Sequence, residues 1–366
     1  MSRTSNSLKQ LALQKFKKNF WGVFSFCFII LVGIVAVFAY TLTPDNSQYA
    51  NQMHLSIHSK PPGFKATMLT IPSQVENRQT VLSKVFFGVK NTDSEVPISE
   101  YSVVKNMLHY TEYASDGLKG VKKSIPLYSF PNNNVQAYIK EKTFRFGTDK
   151  YGRDLLSRVL VGTRISFFIG FVAVFISLGI GILMGSLAGY YGGKVDAAIM
   201  WIINVTWSIP TLLLVIAITL ALGKGFWQVF IAVGMTMWVE VARVVRGQII
   251  SVKEMQYVTA ARALGYGDFR IISKHILPNI MAPVIVISAA NFAAAILIES
   301  GLSFLGLGAQ PPMASWGAMI KDHYNYIILG KPYLAIIPGV CIMSLVMAFM
   351  LIGNALRDAL DVKEAG

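Results

Sequence analysis

Charge is what this 366-residue chain lacks. Only 14% of its residues are Asp, Glu, Lys or Arg, where soluble domains carry about 25%. The acidic residues are the scarcer, 19 against 33 Lys plus Arg, for a formal charge of +14. So little charge excludes a set of water-soluble domains, and it argues against a nucleic-acid binder despite the basic balance. The two cysteines, Cys27 and Cys341, both sit in apolar runs and support no disulfide framework. Catalytic signatures are missing too. Lys194, Lys224 and Lys331 each follow a glycine, but Val195, Gly225 and Pro332 come next, so no phosphate-binding P-loop is present. Gly301-Leu302-Ser303 begins like a nucleophile elbow, yet Leu305 stands where its second glycine belongs. Gly179 and Gly181 begin like a dinucleotide loop that Met184 breaks, and the five histidines show no metal-ligand spacing. These absences argue against an enzyme with chemistry of its own.

What is present is hydrophobic length. Apolar residues make up 54% of the chain, and its mean hydropathy is +0.51. With 22 Phe, 15 Tyr and 6 Trp it cannot be a disordered chain. A bilayer core about 30 Å thick needs about 20 apolar residues in helix. Trp21 to Tyr40 meets that without a charge, and five more candidates follow: Ile165 to Tyr190, Ala197 to Leu222, Phe226 to Ala242, Ile280 to Ile298 and Tyr333 to Ala355. Pro210 and Pro338 lie within two of them, where neighbouring helices can re-satisfy the freed carbonyls. The expected fold is an all-α polytopic membrane protein with six transmembrane helices. Basic residues set its orientation. Arg3, Lys9, Lys15, Lys17 and Lys18 precede the first span, and Arg243, Arg246, Lys253, Arg262, Arg270 and Lys274 lie between the fourth and fifth. Both regions, and hence both termini, are expected in the cytoplasm. The apolar positions Leu8, Leu11, Ala12, Phe16 and Phe20 beside those first lysines suit a short interfacial helix.

The domain boundaries follow from composition. A basic tail (1–20) precedes helix 1 (21–40). Residues 41–145 form an extracytoplasmic α+β or mostly β insertion, with strand-like stretches at Thr80 to Val89 and Tyr101 to Tyr113. Residues 146–356 hold helices 2–6, with a loop over 243–279, and 357–366 form a cytoplasmic tail.

That loop carries the most chemistry. Tyr257-Val258-Thr259-Ala260-Ala261-Arg262-Ala263-Leu264-Gly265-Tyr266-Gly267-Asp268 runs on to His275-Ile276-Leu277-Pro278-Asn279. Val252 to Leu264 favours a helix, Gly265 ends it, Asp268 is placed to cap a second short helix, and Pro278 opens the next span. Two short helices at a turn make a knob suited to another protein's groove. The stretch resembles the "EAA" loop of ABC importer permeases, which has Glu-Ala-Ala, three residues, Gly, nine residues, then Ile-x-Leu-Pro. Ala260, Ala261, Gly265, Leu277 and Pro278 match, while Thr259 replaces the glutamate and His275 the isoleucine. Phe146-Gly147-Thr148-Asp149-Lys150-Tyr151-Gly152-Arg153-Asp154, continuing to Arg158, looks like the segment leading into the second span of dipeptide and oligopeptide permeases. Arg243-Val244-Val245-Arg246-Gly247-Gln248 fits the same permeases, and the stretch from Glu299 to Gly308, with Gln310-Pro311-Pro312 and Trp316-Gly317, is similar to their outer loop. The match is specifically to the C-type subunit of peptide or nickel importers.

The resemblance implies a type I ABC importer fold and half of a translocation pathway in a bacterial inner membrane. It implies a second homologous permease, two cytoplasmic ATPases that use the ATP, an extracytoplasmic substrate-binding protein, and no cofactor bound by this chain. It also implies that the 257–278 loop couples to the ATPases. A stand-alone secondary transporter or channel is the alternative, and a receptor-like scaffold a further one. Within the spans, Gly181, Gly185 and Gly189 repeat every four residues and let helices approach closely. Glu299, with Ser303, is a candidate outer gate or substrate contact; the alternative is a capped glutamate in interfacial water. Glu240 is placed to pair with Arg243 or Arg246 at the cytoplasmic edge, and Asn204 and Asn291 to bond between helices or to line a pathway. Asp149 with Arg153, and Asp154 with Arg158, read as exposed i,i+4 helical pairs worth about 0.2–0.5 kcal/mol each.

Overall fold

The computed structural model describes residues 8–73, 79–90, 93–114, 119–223 and 225–360. Arg3, Lys224 and residues 361–366 of the expected tail lie outside them, as do the side chains of Leu8 and Lys9. The basic tail forms α1 (Leu8–Lys18), and Asn19 then caps the entry to α2 (Phe20–Leu42), its Oδ1 accepting from the Gly22 amide at 2.9 Å. The remaining long helices are α4 (Leu155–Tyr191), α7 (Phe226–Val252), α10 (Leu277–Phe304) and α12 (Tyr333–Leu360), with shorter elements between. Five of the described helices are long and apolar enough to span a bilayer, or six if a bent pair counts as one. That pair is α5 (Gly193–Trp207) and α6 (Thr211–Leu222), which meet at 92°. Pro210 was expected inside a continuous span. It stands instead at the break, because its ring removes an amide and restrains Ile209 away from helix.

The chain divides into two compact units. The first comprises residues 1–32, 166–310 and 341–366. Its apolar core joins Ile169 and Ala173 of α4, Val215 of α6, Phe230 and Val233 of α7, and Ala295 and Leu302 of α10. Phe292 of α10 stacks on Phe349 of α12, with centroids 4.4 Å apart. α7 is buried on almost every face over Val229 to Val245, as suits a central helix.

The second unit comprises residues 33–165 and 311–340. Within it β1 (Phe64–Ile71), β2 (Ser94–Val104), β3 (Met107–Glu112), β4 (Lys122–Pro126) and β5 (Ile139–Phe144) form one antiparallel sheet in the order β4-β3-β2-β1-β5. Lys105 and Asn106, both at positive φ, close the β2–β3 hairpin as a two-residue turn. Leu69, Ile98, Leu108, Tyr110, Phe130 and Val135 fill its core. The expected β-rich insertion is therefore present, with one correction. Thr80 to Val89 holds a helix, α3 (Val81–Phe87), because the Thr80 hydroxyl accepts from the Ser83 amide and caps it.

Candidate docking loop and span elbow

Past α7 the chain turns through α8 (Gln256–Ala263) and α9 (Asp268–Ile271), then a π-helical turn (Ile272–Ile276), into α10. The end of α8 is a Schellman motif: the Tyr266 amide donates to the Ala261 carbonyl at 3.2 Å and the Gly265 amide to Arg262 at 2.9 Å. Gly265 takes φ +77, with nothing near the place of a Cβ, so backbone conformation alone selects glycine. Val258, Ala261, Ile271 and Ile276 are buried and root the knob against Val245, Ile249 and Ile280. Tyr257, Thr259 and Ala260 are exposed on α8, and Leu264 (72%) and Phe269 (85%) stand out at the tip. Leu277 is half-buried and Pro278 exposed at the root of α10. Tyr257 to Asp268 thus lie on one compact two-helix element, and Leu277 and Pro278 open the spanning helix that follows it.

Sequence reasoning missed what holds the knob in place. Asp268 does not cap α9 with its side chain; it accepts a hydrogen bond from the Tyr190 hydroxyl at 2.7 Å. Tyr266 stacks on His275 (5.7 Å) and carries the Arg270 guanidinium on its other contact, 4.1 Å from the ring. His275 therefore serves a flat stacking role that isoleucine cannot. Burial pushes the Tyr257 phenol pKa up. The glycine stripe explains how α4 reaches this region. A Cβ at Gly181 would meet Val241 at 2.5 Å, one at Gly185 the Ala242 carbonyl at 2.5 Å, and one at Gly189 the Arg246 carbonyl at 2.9 Å. All three face α7, along which α4 runs to the loop.

At the α5–α6 elbow, Thr206, Trp207, Ile209, Thr211, Thr236 and Glu240 are among the residues that line a cavity of about 150 Å³. The expected pairing of Glu240 does not form. Arg246 instead makes a two-pronged bond to Asp196 (2.5 and 2.6 Å), and Arg243 lies 3.9 Å from the Trp207 ring centroid. Both cations are drawn to α5 because it, not Glu240, offers the better-placed partners.

Glu299 is buried, not solvated. Only 1% exposed, it accepts from the Ser303 hydroxyl at 2.7 Å, and Ser303 in turn accepts from the Ala309 amide at 3.2 Å. The pair ties the turn after α10 back onto the helix. Asn291 is buried with its Nδ2 unpartnered, whereas Asn204 is exposed.

In the second unit the 146–158 segment is a buried network, not a pair of exposed helical ion pairs. Asp149 and Arg153 bond at 2.6 Å across a turn, each at most 5% exposed. Asp154 caps α4 by accepting from the Ser157 amide (2.9 Å) and hydroxyl. Burial raises its pKa, and the Ser157 bonds oppose that. Arg158 donates to the carbonyls of Tyr49 (3.2 Å) and Pro312 (3.3 Å), and the Trp316 indole, on α11 (Trp316–His323), donates to Val159 (3.0 Å). The two motifs, distant in sequence, meet through these bonds.

Residues 181–363 match the family described as the binding-protein-dependent transport system inner membrane component, and residues 7–62 match the N-terminal TM domain of oligopeptide transport permease C. The five-stranded sheet falls between the two matches. The chain is similar to the dipeptide transport system permease protein DppC of Bacillus subtilis (strain 168), at 44% identity over 60% of this chain and 68% of the relative. It is similar to the oligopeptide transport system permease protein OppC of the same organism, at 41% over 60% and 71%. It also resembles the glutathione transport system permease protein GsiD of Pectobacterium atrosepticum, at 42% over 59% and 72%. Among solved structures, an inward-facing MetNI methionine ABC transporter shares 18% identity, covering 56% of this chain and 96% of that one, with a TM-score of 0.45. Half of the chain matching one family, and two thirds of a curated permease matched at 44%, give the same answer: the chain belongs to the inner membrane components of binding-protein-dependent transport systems, the permeases of ABC importers.

Proposed function

We propose that this chain forms half of the translocation pathway of an importer for peptides or similar small solutes. It couples to two cytoplasmic ATPases through the 257–278 loop. A second homologous permease completes the pathway, and an extracytoplasmic binding protein delivers the solute. The chain binds no cofactor and performs no chemistry; ATP is used by the partners, in keeping with the missing P-loop. Both termini lie in the cytoplasm, and the five-stranded sheet lies outside.

The single observation that carries the coupling role is the knob itself, an element with a buried root and an apolar tip formed by Leu264 and Phe269. Exposed aromatic and aliphatic side chains on a rigid projection are what a groove in a partner selects. ATPase closure pushing on this knob is transmitted to α10 directly and to α4 through Asp268 and Tyr190. The test is Leu264→Asp with Phe269→Asp in the complete importer. Membrane insertion is expected to persist while ATP-dependent uptake of a labelled tripeptide falls at least tenfold. Uptake at the unsubstituted rate overturns the coupling role.

A further inference from the structure

Glu240 is an exposed acidic group on α7 with no ion-pair partner among the described residues. It lies on α7 thirteen residues past Trp227, a distance of about 20 Å along a helix. It stands two residues before Ala242, the cytoplasmic end of the expected fourth span. An ionisable group near a span's end faces a partner or a water-filled path. In this unit it faces the elbow cavity. Arg243, one turn further along, is held over the Trp207 ring and is not among the lining residues. Arg246 is committed to Asp196.

The lining around the carboxylate presents acceptors. The Thr206 hydroxyl donates to the Ile202 carbonyl at 2.9 Å and the Thr236 hydroxyl to Val233 at 2.8 Å, so each turns lone pairs outward. The C-terminal end of α5 adds its negative dipole end. Beyond the bend, the first amides of α6 have no helical partner and remain donors. A carboxylate among hydroxyl lone pairs, next to free amides, complements an ammonium followed by a carbonyl, which is the amino-terminal end of a peptide. An apolar cavity of similar volume holds benzene, so the space suits one terminal residue and not a folded chain.

We propose that this elbow is a subsite in which Glu240 receives the amino-terminal ammonium of the transported solute during passage. The proposal rests on the importer reading and deepens it by naming what the pathway recognises. Its test needs no knowledge of the natural solute. In the assembled importer, with Cys27→Ser and Cys341→Ala, a Thr211→Cys substitution places an exposed thiol in the lining. Its modification rate is measured with 2-(trimethylammonium)ethyl methanethiosulfonate and with the anionic sulfonatoethyl reagent, each normalised to its rate with 2-mercaptoethanol. The cationic reagent is expected to be favoured about tenfold, as one nearby charge in partly screened surroundings would give. Glu240→Gln should remove the preference and Glu240→Asp retain it. Equal normalised rates, a preference that survives Glu240→Gln, or no reaction with either reagent would each overturn the proposal. Failure here leaves uptake and its dependence on Leu264 and Phe269 untouched, whereas failure of the importer reading appears in uptake and leaves reagent selectivity unchanged.

Discussion

The hydroxyl of Tyr190, at the end of α4, donates to the carboxylate of Asp268, at the start of α9, at 2.7 Å. The bond joins a spanning helix to the docking knob across 78 positions of sequence. The Arg262 guanidinium, 5.9 Å from the Tyr190 ring, adds a second tie to α8. Tyr190→Phe keeps the ring and removes the bond. A hydrogen bond to a charged group contributes about 1.5–3 kcal/mol, so ATP-driven uptake is expected to fall at least fivefold while ATP hydrolysis continues. Unchanged uptake per ATP would show that α4 receives no signal by this route.

Two glycines of α4 should respond oppositely to the same change. At Gly185 an added methyl meets backbone, the Ala242 carbonyl, at 2.5 Å, whereas at Gly179 it meets nothing within 4 Å. Gly185→Ala forces α4 away from α7 and is expected to cost about 1–3 kcal/mol, as overpacking does. Gly179→Ala should be neutral or slightly stabilising through helix propensity. Melting of the two variants in the same detergent distinguishes them; equal melting temperatures would contradict the packing.

At Gly265 the penalty is conformational, because φ is +77 and the surrounding space is empty. Gly265→Ala is expected to cost about 1 kcal/mol. That corresponds to roughly fivefold faster hydrogen exchange at the Gly265 and Tyr266 amides, which hold the Schellman motif closed. Exchange in the α7 core should be unaffected.

Acid should weaken the second unit. His323 is 1% exposed, with Nδ1 2.7 Å from the Met319 carbonyl and Nε2 accepting from the Lys150 amide at 3.4 Å. Burial holds its pKa below the ordinary 6.5, with Asp149 and Asp322 opposing and Lys150 adding to the shift. Burial lowers His54 likewise, against Glu95 and Asp45 and with Lys142. The unfolded chain then binds these protons at a higher pH than the folded one. Stability is therefore full above pH 6.5 and declines as pH falls through 6.5 toward the lowered folded values. Resistance of the sheet region to limited proteolysis should drop between pH 7 and 5.5, and the drop should be smaller in His323→Gln. Equal resistance across that range would rule out the buried neutral histidines as its cause.

Much of this was legible without coordinates because its physical signals are local. Apolar runs of bilayer length, a glycine after a short helix and four-residue glycine spacing each depend on neighbours in the chain. So the spans, the α8–Gly265 knob and the close-packed face of α4 could be read directly. By sequence Pro210 lies within a span, yet the chain bends by 92° there. A proline signals only the loss of an amide, and whether the chain kinks or turns depends on what packs beside it.

Partner choice was settled by folding. Arg246 lies six residues from Glu240 in sequence, yet it pairs with Asp196, fifty positions away. Glu299 looked interfacial by its place at a span's end but is sealed against Ser303, because the turn through Gly308 and Ala309 folds back over it. The partnerships of Tyr190, Tyr266 and His275 carried no sequence signal, since stacking and a hydroxyl bond across 78 residues follow no period. Composition and periodicity were enough to establish a polytopic membrane protein with a two-helix cytoplasmic knob, and the resemblance of its motifs supplied the permease reading. Which charges are neutralised, and that Glu240 is left facing an open elbow, followed only when distant segments were brought within bonding distance. Short-range periodicity holds no record of those distances.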